Sequence, residues 1–371
     1  MIKIGITGQS GFIGSHLFNY LGLQKKVELI PFDKSYFRNQ DKINQFVKQC
    51  DVIVHLAAIN RHPDPEVIYN TNMDLVRQLV EAMESTEAKP HIIFSSSTQE
   101  ERDNLYGKSK KDGRDFLIKW AIKNESIFTG LVIPNVFGPF SSPYYNSVIA
   151  TFSYQLINNE EPVIQKNDSL RLIYIGELVE MIWEIILKKQ NIHNLLVPFT
   201  SESYVSEILH LLQNFKRLYL DKNIFPFFKN NYELNLFNTF RSFIDHEKYF
   251  PVQLKKNSDE RGVFVETFKG ETGGQVSYSI THKGITRGNH FHTRKVERFA
   301  VIKGKASIEL RKVGTNKVIH FDLDGNDPAF VDMPVWYAHN ITNTGEEDLL
   351  TVFWINEFYN PEDPDTYYEM V

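Results

Sequence analysis

The sequence predicts two architectures in tandem: an open parallel α/β sheet with helices on both faces, then an all-β region of short antiparallel strands forming a sandwich or barrel. Three observations predict it. Strand-length apolar runs alternate with helical periods over roughly the first 243 residues. A glycine-rich turn joins the first strand to the first helix. After about residue 250 no helical period remains, and alternating stretches separated by Gly, Asn and Asp take over.

Residues 2–7 read as a short buried strand, 15–23 as helix, 27–32 as a second strand and 42–48 as a short helix. Residues 51–56 form another strand. A helix over 72–83 follows, with Leu75, Val76, Leu79, Val80 and Met83 on its apolar face, and then a strand over 91–94. Short connections between alternating elements mean parallel strands. The pattern continues with a helix over 106–122, a strand over 126–133, and helices over 148–157, 178–188 and 203–215. The last has Val205, Ile208, Leu209 and Leu212 on one face. Alternating stretches then occupy 262–268, 274–280, 297–302, 305–311, 318–323, 329–333 and 349–356. Turns such as Lys303-Gly304-Lys305 separate them. The boundary falls within 240–250, giving domains 1–245 and 246–371, with substrate-binding helices of the first mainly after residue 140. No internal repeat is visible.

Composition narrows the function classes. Apolar residues make up 42% and charged residues 23% of 371, a globular balance. A net charge of -5 gives no global attraction to nucleic acid or anionic membrane. The single cysteine, Cys50, excludes an intrachain disulfide framework and fits a reducing compartment. No run of about 18 apolar residues occurs, so no membrane span is expected. The expected setting is cytoplasmic. Aromatic residues cluster between Tyr204 and Phe264, as in a packed core or a domain interface.

Gly8-Gln9-Ser10-Gly11-Phe12-Ile13-Gly14 follows the first strand and opens the first helix. Dinucleotide binding asks for that arrangement. Glycines let the backbone turn tightly and approach a pyrophosphate, and the helix offers unpaired N–H groups and its positive end. Asp33, just past the second strand, is placed to bond the adenosine ribose and to disfavour a 2′-phosphate. Lys34 and Arg38 follow at once and can neutralise one, so NAD and NADP stay open as alternatives. Tyr106 and Lys110 share a helix face. A lysine beside a phenol favours the phenolate and lowers its pKa. Such a phenol donates a proton to a ketone oxygen as hydride reaches the carbon. Ser95, Ser96 and Ser97 end a strand at the edge where ligands sit in a parallel sheet, and one of these hydroxyls is placed to bond the substrate oxygen.

Residues 1–245 resemble the extended short-chain dehydrogenase/reductase family, in its nucleotide-sugar epimerase and dehydratase branch. The resemblance is carried by the 8–14 turn, His55-Leu56-Ala57-Ala58, Asn72 before a helix, the serines at 95–97, Tyr106-Gly107-Lys108-Ser109-Lys110, and Pro134-Asn135-Val136-Phe137-Gly138-Pro139. It implies a Rossmann-type fold and a catalytic set of Ser97, Tyr106 and Lys110, with Ser96 as the alternative serine. It also implies that Lys110 holds the nicotinamide ribose, that Thr7, Gly8, Gly11, Phe12, Ile13 and Gly14 form the phosphate end, and that Leu56, Ala57 and Ala58 line the cofactor. Asn135 is implied near nicotinamide and substrate. One departure stands out. Eight residues (98–105) separate Ser97 from Tyr106 where relatives often carry more, so that side of the pocket is expected to be more open.

Gly284, His290, His292, Glu297 and Gly304 form the spaced set G-x5-H-x-H-x4-E-x6-G, and Pro334-x4-His339-x3-Asn343 follows. Residues i and i+2 of a strand point the same way, so His290 and His292 are neighbours. Glu297 and His339 can join them from other strands. Three imidazoles and a carboxylate suit Zn²⁺, with Fe²⁺, Mn²⁺ or Ni²⁺ as alternatives. The two-part spacing resembles the cupin signature, which implies a jelly-roll barrel. Trp336 stands where cupins usually carry Gly.

A narrower likeness joins Asp259-Glu260-Arg261-Gly262-Val263-Phe264-Val265-Glu266, Gln275-Val276-Ser277 and Gly284-Ile285-Thr286-Arg287-Gly288-Asn289-His290 to the dTDP-sugar 3,5-epimerase cupins. There the histidine after Arg-Gly is the base that removes a proton beside a ketone, a role implied for His290. Those epimerases are metal-free and carry a lysine near the position of Glu297. The two likenesses conflict, because a metal-ligating histidine has no lone pair for a proton. With His290 as a ligand, the proton-moving role passes to another group, such as Tyr337 or a metal-bound hydroxide; otherwise the metal is structural.

The two-domain order resembles the bifunctional sugar-nucleotide enzymes of capsule and O-antigen biosynthesis. That likeness implies C3 epimerisation of a UDP-4-keto-6-deoxy-HexNAc, then NADPH-dependent C4 reduction to UDP-2-acetamido-2,6-dideoxy-L-talose, in a homodimer. NADH is the alternative cofactor. Two other activities remain open: a reductase whose barrel only binds ligand or holds a dimer, and a 4,6-dehydratase or 4-epimerase. Glu100 and Glu101 lie three and four residues past Ser97, not in the acidic-pair position usual for dehydratases.

Overall fold

In the computed structural model every residue is described except Arg261 and Thr272. Arg261 of the 259–266 motif thus lies outside the described residues. The chain forms two compact units, Met1–Ser147 with Lys166–Val205, and Val148–Gln165 with Ser206–Val371. The stretch between 206 and 245 therefore packs with the β-rich part of the chain.

In the first unit, β1 (Ile2–Thr7) is buried over its last four residues. A strand covered on both faces reads as an unbroken apolar run, which is why these segments were visible in the sequence. The chain continues through α1 (Phe12–Gly22), β2 (Val27–Ile30), α2 (Gln40–Gln49) and β3 (Val52–His55). Then come α3 (Pro65–Thr86), β4 (His91–Ser97), α4 (Leu105–Asn124), β5 (Phe128–Ile133) and β6 (Asn135–Phe137). After α5 (Val148–Ile157), which belongs to the other unit, follow β7 (Ser169–Tyr174), α6 (Ile175–Lys188), β8 (Ile192–Leu196) and β9 (Ser201–Tyr204). Six strands form one parallel sheet in the order β2-β1-β3-β4-β5-β8. This is the Rossmann-like sheet expected. The strand order reverses between β1 and β3, which opens a crevice at their carboxyl ends, where Thr7 pairs in register with His55.

Helix α3 runs well past the 72–83 core of the sequence pattern. Asp64 caps it by accepting from Glu66 N–H at 3.0 Å, and Pro65 occupies its first turn, where a missing N–H costs nothing. It ends at Glu87, whose φ of +55° is left-handed. One core of this unit lies between α2, α3, α4 and the sheet, around Phe46, Leu79, Phe94, Leu117 and Trp120.

The second unit contains the helix Val205–Phe215 from Ser206 onward, the helix Asn231–Arg241, and two five-stranded antiparallel sheets. One sheet runs Val252–Gln253, Ala329–Met333, Glu297–Lys303, Leu349–Ile355, Gln275–Thr281. The other runs Val318–Asp324, Lys305–Lys312, Tyr337–Asn343, Thr286–Phe291, Tyr367–Tyr368. Both contribute inward residues to a common core that includes Val301, Phe330 and Leu349 from the first and Ile308, Leu310 and Ile341 from the second. The antiparallel all-β reading of the C-terminal part holds, as two facing sheets. The helix Asn231–Arg241 was not read from sequence, and it carries part of the aromatic cluster: Phe237 meets Phe215, Tyr219 and Phe225 edge-on.

Among the described residues no helix is long and apolar enough to cross a membrane.

Candidate functional site

The glycine turn sits at the crevice between β1 and β3. Gly8 adopts φ +76°, and a Cβ there would stand 2.8 Å from the Ala57 nitrogen. A Cβ on Gly14 would stand 2.2 Å from the Gly8 carbonyl oxygen. Only glycine fits either place. A Cβ on Gly11 would meet nothing but the Gly8 carbonyl oxygen, at 3.2 Å, so its outer side is open to a ligand. Phe12, Ile13 and Gly14 open α1, where the first N–H groups have no partner within the helix. A tight turn, a bare outer backbone and a helix N-terminus together fit a pyrophosphate.

Thr7 Oγ1 lies 2.7 Å from His55 Nδ1 and accepts from Ala57 N–H at 3.3 Å. It pins the start of the Leu56-Ala57-Ala58 segment to β1. Burial pushes His55 down to about 3, with the Lys110 charge adding to the shift, so the imidazole is neutral. Asp33 caps the turn Lys34–Arg38 by accepting from Ser35 N–H at 2.8 Å. Hydrogen bonding to Ser35 holds its carboxyl below the ordinary value. Asn135 is exposed at the start of β6, and its side chain donates to the Arg171 carbonyl at 3.2 Å.

Helix α4 is capped by Asn104, which accepts from Gly107 N–H at 2.7 Å and so places Tyr106 in the first turn. A Cβ on Gly107 would stand 2.0 Å from the Gln99 carbonyl oxygen. The short 98–105 link is thus folded as a 3-10 turn, Thr98–Glu101, pressed against the helix start. Lys110 Nζ donates to the Ser95 carbonyl at 2.8 Å and lies 6.0 Å from the centre of the Tyr106 ring.

The spacing of Tyr106 and Lys110 predicts a lowered phenol, and the structure corrects that expectation. The phenol of Tyr106 is not lowered by its lysine neighbour: burial pushes it up to about 12, and Tyr145 adds to the rise. Burial also pushes Lys110 down to about 8. Desolvation of the charged form is the largest cause in both cases.

The three serines differ in their commitments. Ser95 Oγ donates to the His55 carbonyl at 3.2 Å. Ser96 Oγ donates to Glu100, which is buried and paired with Arg114 at 2.8 Å. Ser97 Oγ accepts from Gln99 N–H at 3.2 Å, which leaves its own proton to give. Glu100 is therefore part of a buried ion pair.

Asn72, part of the family-like pattern in the sequence, has a structural role that the pattern does not assign. Its amide accepts from Ile59 N–H at 2.8 Å and donates to the Ile59 carbonyl at 2.9 Å and to Ser109 Oγ at 3.0 Å. It clamps the segment after β3 to α4. The available signal was a polar residue in the buried stripe Asn72, Val76, Leu79, Met83.

The second constellation lies between the two antiparallel sheets. His290 and His339 face each other across paired strands. His292 follows the strand end, and Glu297 begins a strand of the opposite sheet. One donor atom from each of the four lies within 4.8 Å of all the others. Glu297 Oε2 is 3.2 Å from His292 Nε2 and 3.3 Å from His339 Nε2. Those three atoms are buried, yet none has a hydrogen bond of proper geometry. His292 Nδ1 faces the Asp365 carbonyl at 2.5 Å and His339 Nδ1 the Tyr337 carbonyl at 3.1 Å. A carbonyl only accepts, so both Nδ1 atoms carry a proton, and both Nε2 atoms are the ones turned toward the Glu297 carboxylate. The donor set, the orphaned atoms and the backbone carbonyls behind the rings fit a divalent cation.

Burial pushes His290 down to about 4, helped by His339 and His292. Burial opposes the charged form of His292, but the Glu297 carboxylate more than offsets it and the net shift is upward. Burial likewise opposes ionisation of Glu297, which the two imidazoles overcome, leaving it well below the usual carboxylate range. Tyr337 is not one of the converging four. Its ring stands edge-on to His246, with centroids 5.2 Å apart, and packs on the core; burial pushes its phenol up to about 12. Trp336 holds a left-handed backbone, with φ +62°, a region that favours glycine. Stacking on Phe291 and an N–H bond of 2.7 Å to the His292 carbonyl hold it there.

Comparison with known proteins adds the lineage. Residues 4–196 match the NAD dependent epimerase/dehydratase family, and 257–367 match the polysaccharide biosynthesis C-terminal domain. The chain is 32% identical over 99% of its length to a Pseudomonas aeruginosa protein named UDP-2-acetamido-2,6-beta-L-arabino-hexul-4-ose reductase, covering 98% of that protein. The crystal structure of the capsular polysaccharide assembling protein CapF from Staphylococcus aureus aligns over all of both chains, with a TM-score of 0.64 and 33% identity. RMD from Pseudomonas aeruginosa, solved with NADPH, shares the fold over 58% of this chain and 83% of its own, with a TM-score of 0.54 and 19% identity. The chain is an NAD(P)-dependent enzyme of the epimerase/reductase type, and it belongs to the NAD dependent epimerase/dehydratase family.

Proposed function

We propose that this chain carries out two consecutive reactions on one UDP-4-keto-6-deoxy-HexNAc: C3 epimerisation in the β-rich unit, then C4 reduction with NADPH in the parallel-sheet unit, giving UDP-2-acetamido-2,6-dideoxy-L-talose. The observation that supports it is the presence in one chain of Tyr106 and Lys110 on α4, with Lys110 bonded to the β4 end that carries Ser97, and of the converging set His290–His292–Glu297–His339 between the antiparallel sheets. Ketone chemistry sets the order. The carbonyl acidifies the neighbouring C–H, and reduction removes that activation.

For the reduction, bound NADPH supplies hydride to C4. A phenol held protonated, as Tyr106 is, suits the proton donor to the developing C4 alkoxide. Ser97 has a proton to give the same oxygen, and Lys110 braces the end of β4 against α4. The pyrophosphate falls to Thr7, Gly8, Gly11, Phe12, Ile13 and Gly14, the ribose end to Asp33, the central part to Leu56, Ala57 and Ala58, and Asn135 stands at the nicotinamide side. The relative's printed name, a reductase of a 4-ulose, supports the reductive half.

For the epimerisation, a cupin-type reading of the two facing sheets gives His290, His292, Glu297 and His339 as ligands of Zn²⁺ or a similar divalent ion, which supplies positive charge to an enolate oxygen. We take His290 as a ligand rather than the base, because its donor atom converges with the other three. Tyr337 is kept as the proton-moving candidate on the same strand as His339.

A homodimer is part of this reading. Val276, Tyr278 and Ile280 are 61%, 70% and 50% exposed on Gln275–Thr281, an edge strand. A row of that kind is normally covered. A cytoplasmic setting agrees with the lone buried thiol of Cys50.

The test supplies the 4-keto sugar nucleotide in D₂O, first without and then with NADPH. Deuterium entering at C3 in the first step, and stoichiometric NADPH oxidation in the second, support the proposal. Reduction without any C3 label favours a second reading, a reductase with a non-catalytic β unit; the full-length relative named for reduction alone speaks for it. Turnover that consumes no NADPH would point instead to a dehydratase or 4-epimerase.

A further inference from the structure

We infer that Asp365 is a positioning residue of the four-ligand cluster, acting through His292, so that the C-terminal segment is a working part of that site. The inference rests on the reading of the cluster as a divalent-metal site.

Asp365 is 2% exposed and holds φ +39°, a backbone region that side chains other than glycine, asparagine and aspartate rarely enter. Its carboxylate accepts four hydrogen bonds. Oδ1 takes the Thr293 N–H at 3.0 Å and the Thr293 hydroxyl at 2.6 Å. Oδ2 takes the N–H groups of Arg294 and Lys295, each at 3.0 Å. These are the first three of the four residues that link ligand His292 to ligand Glu297. The carbonyl of the same Asp365 receives the His292 Nδ1 proton at 2.5 Å. One residue therefore fixes the tautomer and direction of a ligand imidazole and also the chain that leads to the next ligand.

The surroundings hold Asp365 in that position. Lys295 Nζ donates to the Pro364 carbonyl at 2.6 Å, and Arg294 pairs with Asp363 at 2.7 Å. Tyr367 stacks on Phe291 at 5.3 Å, and Glu369 N–H donates to the Asn289 carbonyl at 3.0 Å. On the far side of the link, Asn238 donates to the Arg294 carbonyl at 3.2 Å. A latch needed only for stability would require the carboxylate bonds. The carbonyl aimed at His292 is what a ligand-orienting partner supplies.

The full-length chain is titrated with Zn²⁺ against a chromophoric chelator, and its Co²⁺ form is followed by visible absorption. Asp365→Ala is expected to weaken Zn²⁺ binding about 10–100-fold and to change the Co²⁺ band intensities. Asp365→Asn keeps one acceptor oxygen and falls between Asp365→Ala and the wild type. Circular dichroism establishes that each variant is folded; if Asp365→Ala is not, Asp365→Asn decides alone. A wild-type chain that binds no Zn²⁺ sinks the metal reading and this inference with it. A wild-type chain that binds Zn²⁺, beside folded variants with the same affinity and the same Co²⁺ spectrum, overturns the role of Asp365 and leaves the metal reading standing.

Discussion

Lys110 Nζ donates to the carbonyl oxygen of Ser95 at 2.8 Å, and this bond joins the start of α4 to the end of β4 at the carboxyl edge of the parallel sheet. Tyr106 lies one turn earlier on α4, and Ser97 two residues further along β4. The ammonium is wholly buried, so its proton is held less tightly than in water, with a pKa of about 8. Below that value the lysine is charged; above it the charge is lost. Hence kcat/KM for reduction should fall as pH rises through about 8, well before Tyr106, near 12, begins to ionise. Whatever activity Lys110→Arg retains should show no such fall, because a guanidinium keeps its proton throughout. A pH profile of NADPH oxidation for both proteins checks this.

Gly14→Ala tests the cradle. The new Cβ would press within 2.2 Å of the Gly8 carbonyl oxygen and 2.9 Å of the Gln9 Cα, both backbone atoms that cannot swing aside. Moving α1 away from the turn should weaken NADPH binding at least about 10-fold, or roughly 1.4 kcal/mol. The overpacking itself should cost about 1–3 kcal/mol of stability. Fluorescence titration with NADPH and a thermal melt read the two effects separately.

The pair Glu100–Arg114, 2.8 Å apart with side chains 8% and 9% exposed, predicts a stability effect. Arg114→Met leaves a buried carboxylate without its partner and should destabilise the fold by about 3–5 kcal/mol. Adding Glu100→Gln removes the charge and should recover most of that loss. Urea unfolding of the single and double variants measures the difference. A double variant as unstable as the single would show that packing, not charge, is what Arg114 contributes.

How much of this was legible in the sequence depended on burial. The strands of the parallel sheet are covered on both faces, so Ile2–Thr7 and Val52–His55 stand out as apolar runs, and the glycine turn between β1 and α1 marks its own site. The strands that carry His290 and His339 do not alternate visibly. Thr286–Phe291 contains Gly288 and Asn289 at φ +99° and +58° and a bulge before His290. Tyr337–Asn343 is interrupted by polar residues: His339 joins the cluster, Asn340 bonds Glu309, and Asn343 bonds the Thr281 and Glu347 carbonyls. There the spacing of the histidines carried the prediction where periodicity failed. Neither spacing nor periodicity marks Asp365, since only the fold brings residue 365 against residues 292–295. The rise of the Tyr106 pKa was likewise hidden, because spacing places a lysine beside a phenol but says nothing of how deeply both are buried.

Two separable sites acting on one ketone is the claim on which everything else turns. It is tested most directly by C3 deuterium uptake from D₂O without NADPH, in Tyr106→Phe beside Glu297→Ala. Tyr106→Phe should take up label at the wild-type rate while its NADPH-dependent reduction drops about 10²–10⁴-fold. Glu297→Ala, folded but stripped of its buried carboxylate, should take up little or none. Label entering Glu297→Ala at the wild-type rate, or failing to enter Tyr106→Phe, would contradict the account.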